Sequence, residues 1–151
     1  MITFKRTDSD NTDFQKLVKE LDVDLGIYYK EEESFYEELN SIDKIKYTVV
    51  AYDENGNPVG CGGIKEFSKS EVEIKRMYVP PTYRGKGIAS IVLNELEKWS
   101  TELKFEKCIL ETLKEKPYAI RFYQKNNYKI ISNFGEYVKA ENSVCFEKEL
   151  K

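Results

Sequence analysis

Histidine is absent from this 151-residue chain. With it go the side chain that most often titrates near neutrality, the Ser-His and Cys-His nucleophile pairs, and nearly all zinc sites. Acid–base chemistry falls to Glu, Asp, Tyr, Lys or water, and no metal is expected. Cysteine is scarce and odd in number: Cys61, Cys108 and Cys145 stand far apart, each inside an apolar, strand-like run. Such thiols read as buried and free in a reducing compartment, and without a histidine partner none is a candidate nucleophile. Long apolar runs are missing, and the opening Met1-Ile2-Thr3-Phe4-Lys5-Arg6 lacks the apolar core of a signal peptide. The expectation is a cytoplasmic protein with no membrane partner. A strong excess of one charge is also lacking: the net charge of −3 gives no reason to expect nucleic acid.

What is present suits a single soluble domain over residues 1–151, with 40% apolar and 34% charged residues and no internal repeat. Ile2 to Thr7 reads as a short strand. Thr12 with Gln15 forms a capping-box pattern ahead of Phe14, Leu17, Val18, Leu21 and Leu25 at helical spacing, with Gly26 as a stop. A second helix is predicted over Glu31 to Asn40. Tyr47 to Tyr52 and Val59 to Phe67 are strands joined through Asn55-Gly56, a hairpin signal. Gly60, Gly62 and Gly63 in the return strand predict a bulge or close packing.

Val72 to Val79 is a further strand, and Ile88 to Leu103 an amphipathic helix with Ile88, Val92, Leu96, Trp99 and Leu103 on one face. Lys107 to Thr112 is a buried strand, which permits one parallel pairing across that helix. Pro117 starts a helix with Ala119, Phe122 and Tyr123 inward, closed by Asn126-Asn127. Tyr128 to Ser132 and Val144 to Leu150 are the last strands, joined by a polar connection, Asn133 to Asn142.

The stretch Val79-Pro80-Pro81-Thr82-Tyr83-Arg84-Gly85-Lys86-Gly87-Ile88-Ala89 joins a strand to a helix. Its prolines end the strand, its glycines permit tight backbone turns, and the helix start presents unpaired N–H groups and a positive dipole end. That is the construction of a phosphate site. It is not a Walker loop, because Lys86 is followed by Gly87 and no glycine precedes at the right offset. Nor is it a dinucleotide fingerprint, because Ser90 holds the last glycine position and the preceding strands form an antiparallel meander. Lys75, Arg76, Arg84 and Lys86 gather basic charge nearby, which fits a local anionic ligand.

Arg84-Gly85-Lys86-Gly87-Ile88-Ala89 resembles the Arg/Gln-x-x-Gly-x-Gly/Ala signature of the GNAT superfamily of N-acetyltransferases. The likeness continues through Lys75-Arg76-Met77-Tyr78-Val79, through Leu110-Glu111-Thr112, and through Lys116-Pro117-Tyr118-Ala119-Ile120-Arg121-Phe122-Tyr123-Gln124-Lys125-Asn126-Asn127-Tyr128, in family order over nearly the whole chain. Three positions depart from it: Lys116 stands for a polar amide, Tyr118 for a Glu or other polar residue, and Asn127 for a glycine where only positive φ is required.

The resemblance implies an α/β fold, a mixed, mostly antiparallel twisted sheet with flanking helices, and acetyl-CoA as co-substrate. It implies direct transfer of acetyl to a primary amine, with a small molecule as the partner and the protein a monomer or homodimer. Acetylation of a protein N-terminus or lysine is the alternative within the family. A coenzyme-binding module with little catalysis is the alternative outside enzymology. Arg84, Gly85, Lys86, Gly87, Ile88 and Ala89 would hold the pyrophosphate. The main chain at Met77, Tyr78 and Val79 would pair with the pantetheine arm, which enters where a bulge splays two strands, and would face the thioester oxygen. Tyr123 would be the acid, with its ordinary pKa near 10. Glu73 would be the base and Glu111 the runner-up. The first two helices and the 133–142 connection would form the acceptor pocket, with Tyr28, Tyr29, Phe35 and Tyr137 in it. Glu31, Glu32 and Glu33 are candidates to attract a cationic amine.

Overall fold

The computed structural model of the protein describes residues 1–26 and 45–150. The helix expected at 31–40, with Tyr28, Tyr29, Phe35 and Glu31 to Glu33, lies outside them.

The strands are β1 (Thr3–Thr7), β2 (Tyr47–Tyr52), β3 (Pro58–Glu66), β4 (Glu71–Tyr78), β5 (Lys107–Leu113), β6 (Lys129–Ile131) and β7 (Ser143–Glu149). They form one sheet in the order β1-β2-β3-β4-β5-β7-β6. Every neighbouring pair is antiparallel except β4 and β5. The mixed, mostly antiparallel sheet with flanking helices is as expected. The β2–β3 turn follows its sequence signal: Gly56 takes φ +81°, and the Asp53 carboxylate accepts from the Asn55 and Asn57 N–H groups at 2.9 Å each.

The helices are α1 (Thr12–Gly26), α2 (Ile88–Glu102) and α3 (Pro117–Lys125). Asn11, not Thr12, caps α1, its Oδ1 accepting from the Phe14 N–H at 2.8 Å. Thr12 is already helical, and Gln15 turns its amide to the Ser9 carbonyl instead of closing a capping box. Asn and Thr are both good caps, and the turn closed by Asn11 N–H to Asp8 O settles which is used.

Two cores lie on opposite faces of the sheet. On one, α1 packs Phe14, Leu17, Val18 and Leu21 against Val50, Cys61 and Tyr78. On the other, α2 packs Ile88, Val92, Leu93 and Leu96 against Val49, Val59, Ile64 and Ile74. Each such fully buried aliphatic contributes about 1.5–3 kcal/mol. Gly62 sets the approach of α2: a Cβ there would lie 2.5 Å from Met77 Sδ and 2.9 Å from Leu96 Cδ1. The β3 glycines therefore serve close packing. Trp99 and Leu103 flank the α2 face instead of filling it, and Leu93 and Ser100 are buried there. The indole lies edge-on to Tyr47, with Arg6 4.8 Å above it. That arginine ties β1 to α2 through Glu95 at 2.6 Å and both oxygens of Glu102. All three cysteines are buried and free.

Candidate active site

The site begins with an irregularity in β4. Opposite β3, Cys61 pairs with Tyr78 and Gly63 with Lys75, so Arg76 and Met77 together face Gly62. The extra residue is Arg76, with φ +61°. This is a β-bulge. On its other edge β4 pairs with β5 only from Glu71–Lys107 to Ile74–Leu110. Beyond the bulge the two parallel strands part, and the β5-side main chain from Lys75 to Tyr78 has no strand partner among the described residues. The apolar positions Val72, Ile74, Met77 and Val79, with a spacing of three in the middle, are the sequence signal of this bulge.

The parted strands open into a groove of about 450 Å³. The chain beyond β4 forms its rim: a single 3-10 turn at Pro81–Tyr83, then the glycine loop, then α2. Gly85 and Gly87 both take φ +79°, and a Cβ at either would meet nothing within 4 Å. Their requirement is conformational, since a residue with a side chain is strained at such φ. Gly87 caps α2 with no side-chain hydrogen bond to the first helical N–H groups. Those donors stay available at the positive end of the helix.

Met77, Tyr78, Val79, Arg84, Gly85, Gly87, Ile88 and Ala89 all line the groove. Lys86 is not among its lining residues; it is exposed, with Nζ 5.7 Å over the Tyr83 ring. Arg84 turns its Nε to the Val79 carbonyl at 2.7 Å, which locks the loop to the end of β4.

A charged chamber of about 80 Å³ adjoins the groove on the α1 side. Glu73, Lys75, Glu111 and Tyr137 line it, with Leu21 and Leu25 of α1 as the apolar wall. Groove and chamber share Leu21, Met77, Thr112, Lys116 and Tyr123 as common wall, so they lie side by side. Tyr123 comes from the inward face of α3. Its ring packs edge-on to Phe122 and Tyr128 and lies 5.9 Å from that of Phe146. Burial, aided by Glu111, pushes its phenol well above the ordinary value, so it stays protonated.

Glu73 is 7% exposed, with Oε2 engaged. Tyr137 donates its hydroxyl to Glu73 Oε2 at 2.9 Å, and Lys75 Nζ donates to the Tyr137 oxygen at 3.2 Å and lies 3.8 Å from the same carboxylate. Burial raises the Tyr137 phenol and lowers the Lys75 ammonium. Tyr137 sits in a 3-10 turn, Gly135–Tyr137, within the stretch read from sequence as a polar connection. It lines the chamber as a buried partner of Glu73.

Glu111, on β5, accepts from Ser143 Oγ at 2.5 Å. Burial pushes its carboxyl up to about 7, against the pull of Ser143 and of the Lys75 charge. Lys116 caps α3, 3.9 Å from Asp24, and burial lowers its ammonium. Lys75 and Arg76, read from sequence as part of a basic patch with Arg84 and Lys86, are turned inward. Arg76 Nη1 reaches Asp22 at 2.6 Å, and its buried Nε has no hydrogen-bond partner among the described residues.

The model of the acetyltransferase (GNAT) family matches residues 14–128. The chain belongs to that family. An IAA acetyltransferase of Azospirillum brasilense is 30% identical over 136 residues, an overlap of 89% of each chain. A Klebsiella pneumoniae chain assigned as an acyl-CoA N-acyltransferase superposes with TM-score 0.82 at 24% identity, covering 100% of this chain and 99% of that one. The PaiA N-acetyltransferase of Thermoplasma acidophilum, solved with coenzyme A, superposes with TM-score 0.72 at 20% identity over 99% of both. At these identities the likeness to the solved structures is one of fold.

As a GNAT member, the protein is an acetyl-CoA-dependent N-acetyltransferase. The groove fits that co-substrate on its own terms: a main-chain edge without a strand partner, a left-handed glycine pair and an uncapped helix start lie along one wall. Asn127 does take positive φ, +73°, where the family has glycine. Among the described residues no helix is long and apolar enough to cross a membrane.

Proposed function

We propose that the protein transfers acetyl from acetyl-CoA directly to the primary amine of a small molecule. The observation that carries this is the junction: the groove and the charged chamber share Tyr123 in their common wall. A donor in the groove and an amine in the chamber would meet beside that phenol.

Each part of the chain has a task in this reading. The N–H groups of Arg84 to Ala89 at the start of α2 bind the pyrophosphate, with the charge of Arg84 behind them. The main chain at Met77, Tyr78 and Val79 pairs with the pantetheine arm and presents an N–H to the thioester oxygen, where negative charge grows during attack. Tyr123 gives its proton to the leaving sulfur. The chamber's carboxylates face the amine, which must shed a proton because an alkylamine with a pKa near 10.4 is mostly ammonium at neutral pH. With both substrates bound together, no covalent enzyme intermediate is needed.

Thiol release from acetyl-CoA across a panel of small amines and peptides tests this reading. Turnover with small amines and a steep loss in Tyr123→Phe is the expected result. Turnover with peptides alone would assign the protein to polypeptide acetylation. Tight acetyl-CoA binding with no turnover on any acceptor would make it a binding module.

A further inference from the structure

The charged groups of the chamber differ in how far they are matched. Lys75 Nζ donates to the Tyr137 oxygen and lies 3.8 Å from Glu73. Lys116 lies 3.9 Å from Asp24, and Glu111 takes the Ser143 hydroxyl. Arg76 stands apart from these. It lines the chamber and is 8% exposed. Its Nη1 gives one bond, to Asp22 Oδ1 at 2.6 Å. Its Nε is buried with no hydrogen-bond partner among the described residues. A buried N–H of a charged group left without an acceptor is costly, and an arriving anion would relieve that cost.

The unused donors have a definite shape. A guanidinium meets a carboxylate either end-on, through Nη1 and Nη2, or side-on, through Nε and Nη2. Asp22 occupies Nη1, so the side-on edge remains. Its N–H groups run parallel, at the spacing of the oxygens of one carboxylate. The bulge sets where this edge lies, because Arg76 is its extra residue, at φ +61°. The next residue, Met77, belongs to the wall shared with the groove, whereas Arg76 lines the chamber alone. A carboxylate held by Arg76 therefore lies on the chamber side. An amine one carbon away from it can turn toward Tyr123 in the wall.

Resting on the acetyl-transfer reading above, we propose that the acceptor is a small aminocarboxylate of the α-amino acid class, and that the side-on edge of Arg76 binds its carboxylate. A zwitterion suits this chamber. It brings an anion to the guanidinium and an ammonium to the carboxylate side, whereas a polyamine would bring only positive charge beside Arg76, Lys75 and Lys116. The balance of the step is simple. The nitrogen forms its bond to the acetyl carbon as the bond from that carbon to sulfur breaks. In passing from ammonium to amide the nitrogen loses two protons, one to the departing sulfur and one to solvent. The carboxylate is unchanged, and the product is an N-acetyl amino acid with coenzyme A as the thiol.

The test uses amino acids with apolar, polar and acidic side chains, each beside its amide and its decarboxylated amine, with rates expressed per neutral amine. Wild type should favour the carboxylate member of at least one set by about 10- to 100-fold in kcat/KM, chiefly through KM. Arg76→Gln should bring that ratio to within about threefold, and Arg76→Lys, which keeps the charge without the fork, should retain part of it. Asp22→Asn keeps an oxygen for Nη1 and removes the competing charge. It should raise the ratio by about threefold, a modest change because Asp22 is half-exposed. A contact that merely braces α1 against β4 would make both changes act in the same direction, and alike on all three members of a set. Equal use of the three members by wild type, or a preference that survives Arg76→Gln, overturns the proposal.

A second readout needs no turnover. In calorimetry on the protein saturated with coenzyme A, the preferred amino acid should bind wild type and bind Arg76→Gln about tenfold or more weakly. Its amide should bind both weakly. No binding of any amino acid, or equal binding by wild type and Arg76→Gln, overturns the proposal. Binding that depends on Arg76 without turnover of any acceptor would sink the acetyl-transfer reading and leave the carboxylate site standing. Turnover of amines that is indifferent to the carboxylate would do the reverse.

Discussion

The groove and the chamber share a wall and are built in opposite ways. The groove is made of main chain and near neighbours: two left-handed glycines, a helix start, and Arg84 bonded to a carbonyl five residues back. The chamber is made of side chains that meet across the sequence. Tyr137 reaches Glu73 over 64 residues, and Ser143 reaches Glu111 over 32. A local, backbone-built site tolerates most side-chain changes and fails when a dihedral is denied. A distributed, side-chain site fails one contact at a time. The comparison teaches where substitutions should act on binding and where on chemistry.

The sharpest way to separate the two is at their junction. Tyr123→Phe should lower kcat by about 10²- to 10⁴-fold, the span of a lost general acid. Coenzyme affinity, followed by calorimetry, should change less than about threefold. A kcat near that of wild type would take Tyr123 out of the chemistry. Next is the groove alone. Gly87→Val places a β-branched residue at φ +79°, a strain of roughly 1–2 kcal/mol at the coenzyme cradle. Coenzyme Kd should rise about tenfold or more, and an unaltered Kd would move the cradle elsewhere. The chamber alone is tested by Tyr137→Phe, which leaves the buried Glu73 and Lys75 without their bridge. Denaturant unfolding should show a loss of about 1–3 kcal/mol while coenzyme binding is retained. The smallest effect is expected at Lys86→Ala. That side chain lies outside the groove lining and exposed, so coenzyme Kd should shift less than about twofold. A tenfold loss there would mean that the loop closes further around its ligand.

The same division explains what could be read from the chain alone. The groove was legible because its logic is local: Pro80-Pro81 stop a strand, Gly85 and Gly87 allow left-handed turns, and an amphipathic helix follows at once. The order of elements was legible too, since periodicity and turn residues are local signals. The chamber was legible only in part: the family resemblance named Glu73, Glu111, Tyr123 and Tyr137, and the contacts among its side chains were hidden. Nothing near Tyr137 announces a contact with Glu73, and the polar stretch around it hides a buried phenol. Lys75 and Arg76 look like surface cations until the bulge turns them inward to Tyr137 and Asp22. The Thr12–Gln15 capping pattern gives way to Asn11, one residue earlier, which the preceding turn brings into place. What failed in each case was a question of partner, which only the folded chain answers.

The extra residue at Arg76 also resets the parity of β4. Before it, Val72 and Ile74 face the α2 core while Glu73 and Lys75 face the chamber. After it, Met77 and Val79 still reach the α2 core and Tyr78 still reaches the α1 core, which an unbroken two-residue alternation would reverse. A single deletion at Arg76 would therefore do more than remove a guanidinium. It would remove the bulge, leave Met77 and Tyr78 on their present faces by plain alternation, and let β4 resume pairing with β5, closing the slot. The opening of this enzyme is held by an odd count of residues, and a length change of one would be felt there more than any single side-chain replacement.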